Sequence, residues 1–295
     1  MLRIVLLLAT NFAVLLLATL TLNLLGIGPW LTARGVELGP LLIFGLLLGF
    51  GGAFFSLAIS KWIAKRTMGV SVITTPQNDT ERWLLETVAR EAALARIGMP
   101  EVGIFDSPEP NAFATGASRH HALVAVSSGL LARMDREQTA AVLGHEITHI
   151  SNGDMITLTL IQGVVNAFVF VLSRVIGNLV DRTFFRGEDD NRGPGPAFWI
   201  TSIIAELVLG LFATLIVMWF SRRREFRADA GGATLAGRGA MIDALESLKV
   251  QVHDGLPASI KALGIAGPDR ASTLAKLFMS HPPLDERIKA LRAAG

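Results

Sequence analysis

Four apolar stretches limit what this chain can fold into before any motif is considered. Ile4 to Ile27 is almost continuously apolar, interrupted only by Thr and Asn, and Gly39 to Ile59, Ile156 to about Val180 and Ala197 to Phe220 follow. Each has roughly the ~20 residues a helix needs to cross a bilayer. Hydrocarbon offers no water to backbone groups, so each stretch is expected to be a helix that satisfies its own N–H and C=O groups. The first run is longer than the core of a signal peptide and is expected to be retained. Cations give the direction. Lys61, Lys65 and Arg66 follow the second run and Arg222, Arg223 and Arg224 follow the fourth, whereas the 28–37 connection holds only Arg34. The positive-inside rule then places residues 60–155 and 221–295 in the cytoplasm, with 28–37 and the acidic turn-rich segment 181–196 outside. The expected organisation is two membrane helices in 1–60, a first cytosolic part in 61–155, two further membrane helices in 156–220, and a second cytosolic part in 221–295.

The first cytosolic part holds the densest chemistry. His145-Glu146-Ile147-Thr148-His149 is an H-E-x-x-H sequence with apolar neighbours Val142, Leu143 and Gly144. On a helix, positions i and i+4 share a face, so both imidazoles can reach one ion. Glu146 lies one step round, where it can take a proton from a metal-bound water. Asp135 is a suitable N-cap for this helix, with Gln138 three residues on, and Asn152-Gly153-Asp154 is its expected break. Upstream, Asn78 should cap a helix that ends at Gly98 and Pro100. Three short strands are expected: residues 102–105, Asn111 to Thr115 and Ala122 to Val126.

Two histidines leave the ion short of a third protein ligand. The chain has no cysteine, which excludes thiolate ligands, disulfides and a cysteine nucleophile. The third ligand must then be His, Asp or Glu. Glu225 and Asp229 share a helical face just past the fourth span, which returns them to the side of the H-E-x-x-H motif. Glu225 is the expected ligand and Asp229 the group that orients a ligand histidine. Imidazole and carboxylate donors suit Zn²⁺, though other divalent ions take the same set. His120, His121 and His253 match no ligand spacing. Gln162 and Asn166 share a face of the third span and are expected to hydrogen-bond between helices. Glu206 in the fourth span is either a functional group or a protonated carboxyl bonded to a neighbouring helix. Arg174 is expected to snorkel. The net charge of +2, without a long basic tract, gives no sign of a nucleic-acid partner.

Taken together, His145-Glu-Ile-Thr-His149-Ile-Ser-Asn-Gly-Asp154, Arg224-Glu-Phe-Arg-Ala-Asp229 and His281-Pro-Pro-Leu-Asp-Glu-Arg287 resemble the HtpX-type membrane zinc metalloproteases, relatives of the CAAX prenyl proteases. The likeness covers essentially the whole chain, including Pro110-Asn111-Ala112-Phe113-Ala114. It implies a mainly α membrane protein with about four transmembrane helices and a cytosolic α+β zincin-like (gluzincin) domain carrying a small β-sheet. It further implies one Zn²⁺ per chain on His145, His149 and Glu225, with Glu146 as general base. The expected activity is endoproteolysis of misfolded membrane proteins or unfolded polypeptides at the bacterial inner membrane, from an active site facing the cytoplasm. Asn111, Ala112, Phe113 and Ala114 would then pair with substrate backbone as an edge strand; a plain core strand is the alternative. His281 and Arg287 resemble residues that approach the tetrahedral intermediate; the alternative is a structural His-Pro-Pro turn with a capping Asp285 and a surface arginine. A non-catalytic zinc-containing adaptor or chaperone and a CAAX-type protease remain alternative functions.

Overall fold

The computed structural model describes residues 38–185, 194–254 and 281–294. The first apolar run, the middle of the 181–196 connection and the His253 side chain lie outside them. In chain order the elements are α1 (Leu38–Thr67), β1 (Ser71–Val72), α2 (Asp79–Leu94), β2 (Glu101–Phe105), β3 (Ala112–Gly116), β4 (Ala122–Ser127), α3 (Ser128–Arg133), α4 (Arg136–Asn152), α5 (Asp154–Val180, extended by a π-helical turn Asp181–Phe185), α6 (Pro196–Ala236), α7 (Arg238–Asp254) and α8 (Leu284–Ala293). Among the described residues, α1, α5 with its extension, and α6 are long and apolar enough to cross a membrane. Of the described residues, those up to Phe55 with Thr159–Val217 form one compact unit, and Ser56–Leu158 with those from Met218 form the other.

The first unit packs its helices through small residues. A Cβ at Gly49 would lie 2.6 Å from the Gly163 carbonyl oxygen, and one at Gly177 would meet the Ser202 hydroxyl. Such close approach is how membrane helices gain contact where lipid is as apolar as leucine. Ile43, Leu47, Phe55, Leu207 and Phe212 are turned outward, as lipid-facing groups must be. Two expectations need correction. Arg174 does not snorkel alone: its guanidinium lies 2.7 Å from Glu206 and 4.6 Å from the Phe170 ring centroid, so Glu206 is ion-paired. Gln162 donates to Asn166 at 2.7 Å along α5 itself, rather than between helices.

The second unit is built around a four-stranded sheet of order β1-β2-β4-β3. β2 and β4 are parallel, the outer pairs antiparallel, and all of β4 is buried. Val102, Val124 and Val126 from the sheet pack on Leu84 and Val88 of α2 and on Leu143, Ile147 and Ile150 of α4. These apolar positions of α4 fix which face of the helix is left for chemistry. α4 begins where Asp135 accepts from the Gln138 N–H (2.8 Å) and stops at Gly153, whose φ of 68° is readily adopted only without a Cβ. α2 ends four residues before Gly98. Arg96 takes the left-handed position (φ 54°), while Ile97 N–H returns to the Ala92 carbonyl and Arg96 N–H to that of Ala93. That is a Schellman closure made without glycine. The two-residue β1 and the short α3 carried no clear signal in the sequence.

Glu91 on α2 is fully buried, and neither carboxyl oxygen has a hydrogen-bond partner among the described residues; Arg90 is 4.0 Å away. Burial pushes its pKa up to about 8, against a smaller opposing pull from Arg90. A group whose folded pKa lies above its unfolded one loses stability as pH rises towards the folded value. Glu91 therefore costs progressively more between pH 4.5 and 8, reaching on the order of 5 kcal/mol. Glu91→Gln should flatten this dependence. Melting temperatures from pH 5 to 9 should show the two proteins converging at low pH and the variant ahead at high pH; parallel curves would contradict the assignment.

Candidate active site

The motif helix and the membrane-exit helix approach unusually closely. A Cβ on Gly231 would lie 2.3 Å from the Thr148 side chain, and one on Gly144 would lie 3.3 Å from the Gly232 backbone. These glycines let α6 lie against α4, with Asp229 within one turn and Glu225 about two turns before the crossing. His145 Nε2 is then 3.2 Å from His149 Nε2 and 3.5 Å from Glu225 Oε2, while His149 Nε2 is 3.4 Å from Glu225 Oε1. Ligand atoms about 2.0–2.1 Å from a tetrahedral ion lie roughly 3.3 Å apart, so the three donors already have the spacing a metal requires. They form a group able to hold an ion.

The remaining imidazole nitrogens are held by carboxylates. His145 Nδ1 is 2.9 Å from Asp229 and His149 Nδ1 is 2.7 Å from Asp154. This leaves each Nε2 as the metal-facing atom. Asp154 was not anticipated, although a carboxylate one residue past a glycine cap and five past a ligand histidine is a readable signal. Burial opposes protonation of both rings. The hydrogen bonds to Asp229 and Glu225 at His145, and to Asp154 and Glu225 at His149, outweigh it with help from Glu146, and His149 is pushed up to about 9. Carboxylates that stabilise two imidazolium ions stabilise a divalent cation in the same way.

The C-terminal helix closes the site from the far end of the sequence. Ile288 and Leu291 of α8 pack on Met241, Ala244 and Leu245 of α7, with Arg292 2.5 Å from Glu246 and Lys249 paired to Asp285. Asp285 does not cap α8, which starts at Leu284 with Pro283 in the N-cap position and no side-chain cap. Nor is Arg287 a surface residue: it is buried, and its Nε and Nη2 donate to Asp229 at 2.8 and 2.5 Å. His281 stands at the rim, its side chain 60% exposed, with Nδ1 2.6 Å from Glu225. Both line one cleft with His145, Glu146, Asn111 and Ala112. Glu146 is half-buried and accepts no hydrogen bond among the described residues.

Asn111 precedes β3 rather than belonging to it, and the approach to the strand is fixed by Ser127. The Ser127 hydroxyl donates to the Glu109 carbonyl (2.8 Å) and accepts from the Asn111 N–H (2.9 Å), while Ser127 N–H donates to the Asn111 carbonyl (2.8 Å). Among the described residues, Ala112, Phe113 and Ala114 pair with β4 on one side only, which puts β3 at the edge of the sheet.

Known proteins resemble this chain over nearly its whole length. Residues 78–294 match peptidase family M48. "Protease HtpX homolog" of Thiobacillus denitrificans is 62% identical over 291 residues, covering 99% of each chain. "Protease HtpX" of Thioalkalivibrio sulfidiphilus is 59% identical, covering 99% of this chain and 98% of its own. The crystal structure of Ste24p from S. mikatae, at 21% identity and a TM-score of 0.60, covers 96% of this chain and 67% of that one, and shows the same fold. With a family match that takes in the histidine pair, Glu225 and Arg287 alike, the chain belongs to peptidase family M48.

Proposed function

We propose that this membrane-bound metalloprotease is a zinc endopeptidase, with one ion per chain on His145, His149 and Glu225, that hydrolyses misfolded or damaged membrane proteins. One observation carries the reading. Three donors at tetrahedral spacing stand beside a carboxylate, Glu146, that no donor among the described residues engages. Three protein ligands are the pattern of a catalytic site, in which a fourth position stays open, and two imidazoles with one carboxylate suit zinc. Zinc, when bound, supplies Lewis acidity that brings the deprotonation of water and the polarisation of a peptide carbonyl within reach near neutral pH.

The residues of the chain do the rest. Glu146 takes the proton from the attacking water and returns it to the leaving amine. Its freedom from local hydrogen bonds suits a group that must exchange a proton twice. His281 at the rim donates towards the developing oxyanion, and Arg287 lends positive charge to the same wall while holding Asp229 against His145. The free edge of β3 pairs with an extended substrate from Asn111 onward, recognising backbone rather than sequence. Such an edge favours chains that have lost their fold, because a folded protein has few strands to lend. An adaptor would have no use for a free carboxylate beside an open cation site. Lys61, Lys65 and Arg66 after α1's apolar part, and Arg222 to Arg224 after α6's, support a cytoplasmic active site at the bacterial inner membrane, with the two cytosolic parts folding together.

The test is metal content with proteolysis on the detergent-solubilised full chain. One zinc per chain is expected, with cleavage of unfolded casein that a chelator stops and added zinc restores. Zinc-loaded protein that leaves casein and unfolded membrane proteins intact would contradict the reading.

A further inference from the structure

Arg222, Arg223 and Arg224 stand where α6 leaves its apolar part, and a run of cations there ordinarily serves membrane orientation alone. The structure separates two of them. Arg223 is exposed and lies over the Trp219 ring, 4.7 Å from its centroid, a contact that leaves its charge in water. Arg224 is half-buried and engaged by the protein. Its Nη1 donates to the Asp154 backbone carbonyl at 3.2 Å and its Nη2 to the Ser221 hydroxyl at 3.1 Å. Its Nε is buried without a partner among the described residues. A guanidinium that gives up water for two neutral acceptors, with one N–H left unmatched, loses hydration that orientation in a membrane does not require it to lose.

What Arg224 holds decides what it does. Asp154 is 2% exposed and is the first residue of α5, directly after the Gly153 cap that ends α4. Its Oδ2 is 2.7 Å from His149 Nδ1 and so fixes the ring whose Nε2 faces the donor group. The aim of that carboxylate follows its own backbone, at a junction where a left-handed glycine allows the chain more freedom than a continuous helix would. The bond from Arg224 to the Asp154 carbonyl pins this backbone from the side of α6. Ser221, about one turn earlier on α6, holds the other arm of the fork, so the position of the clamp is set by α6 itself. Glu225 is the next residue, about 100° further round the helix, and faces the histidines while Arg224 faces the junction. Two adjacent residues of α6 thus hold the third donor and the group that orients His149. We infer that Arg224 is a positioning residue of the metal site: through the Asp154 backbone it keeps the Asp154 carboxylate on His149 and α6 seated against the end of α4. This rests on the metal-site reading above and adds to it a residue outside the donor group.

The experiment measures zinc affinity by competition with a chelator on the detergent-solubilised full chain, with the ligand-field spectrum of the Co²⁺-substituted protein as a second readout. Arg224→Met keeps an apolar stem and loses the donors. It should weaken zinc binding by about tenfold, the lower end of what losing an outer partner of a ligand costs, and should shift the Co²⁺ bands. Arg224→Lys restores one donor and should recover most of the loss. Arg223→Met should change neither readout. A double-mutant cycle with Asp154→Asn tests the route. If Arg224 acts through Asp154, adding Arg224→Met to Asp154→Asn should weaken zinc far less than it does in the wild type, whereas a general loss of folding would weaken it in both backgrounds alike. Losses that multiply, a Lys variant as weak as the Met variant, or an Arg224→Met protein that matches wild type would overturn the inference and leave the metal site standing. Wild type that binds no zinc would remove both.

Discussion

Glu146→Gln keeps the metal and loses turnover. The carboxamide has nearly the shape of the carboxylate, and Glu146 makes no hydrogen bond among the described residues whose loss would disturb α4. Its side chain is absent from the donor group of His145, His149 and Glu225, so zinc binding should be unchanged. What the variant loses is a basic oxygen. General acid–base catalysis contributes about 10²–10⁴-fold, and kcat should fall by at least that much with KM little altered. Metal analysis and casein cleavage on wild type and variant side by side decide the matter. Retained cleavage by metal-loaded, protease-free variant would sink the base assignment. Lost cleavage together with lost metal would make Glu146 structural instead.

Glu225→Ala removes both metal and activity. Glu225 is 1% exposed and provides the only carboxylate donor in the ligand group. Losing even an outer partner of a ligand costs 10–100-fold in metal affinity, so loss of the ligand itself should exceed about 100-fold. Asp229→Asn serves as the comparison, because Asp229 touches His145 Nδ1 and Arg287 but belongs to no donor triplet. The expected order of zinc affinity, measured by competition with a chelator, is wild type, then Asp229→Asn, then Glu225→Ala. Equal affinities for Glu225→Ala and wild type would place the third ligand elsewhere. Circular dichroism should show both variants folded, since neither residue belongs to the apolar core around Leu143, Ile147 and Val124.

Much of this site was legible in advance because much of it is local. The i, i+4 spacing puts His145 and His149 on one face whatever the rest of the chain does, and Asp135 and Gly153 mark the ends of their helix. Glu225 was expected from topology, because two further crossings would return it to the side of the histidine pair. Arg287 was harder. An arginine three residues past Leu284 on an exposed-looking helix reads equally well as a surface group. Its burial depends on Asp229, 58 residues earlier, and on the packing of α8 against α7. Arg174 and Glu206 show the same limit: the first was expected to snorkel and the second was left between two readings, and their pairing across α5 and α6 was visible in neither alone.

The sequence by itself determined the membrane-length helices among the described residues, the helix that carries Glu146 and the histidine pair, and the absence of thiolate chemistry. These depend on hydropathy, charge and a 3.6-residue period, which neighbouring residues alone can encode. Only the tertiary structure decided the 3.2–3.5 Å donor spacing, the carboxylates on each Nδ1 and the place of β3 at the edge of the described sheet. Each of these depends on how closely two distant segments pack. That distance is set by the side chains missing from Gly144, Gly231 and Gly232 and by the volumes filling the core around them.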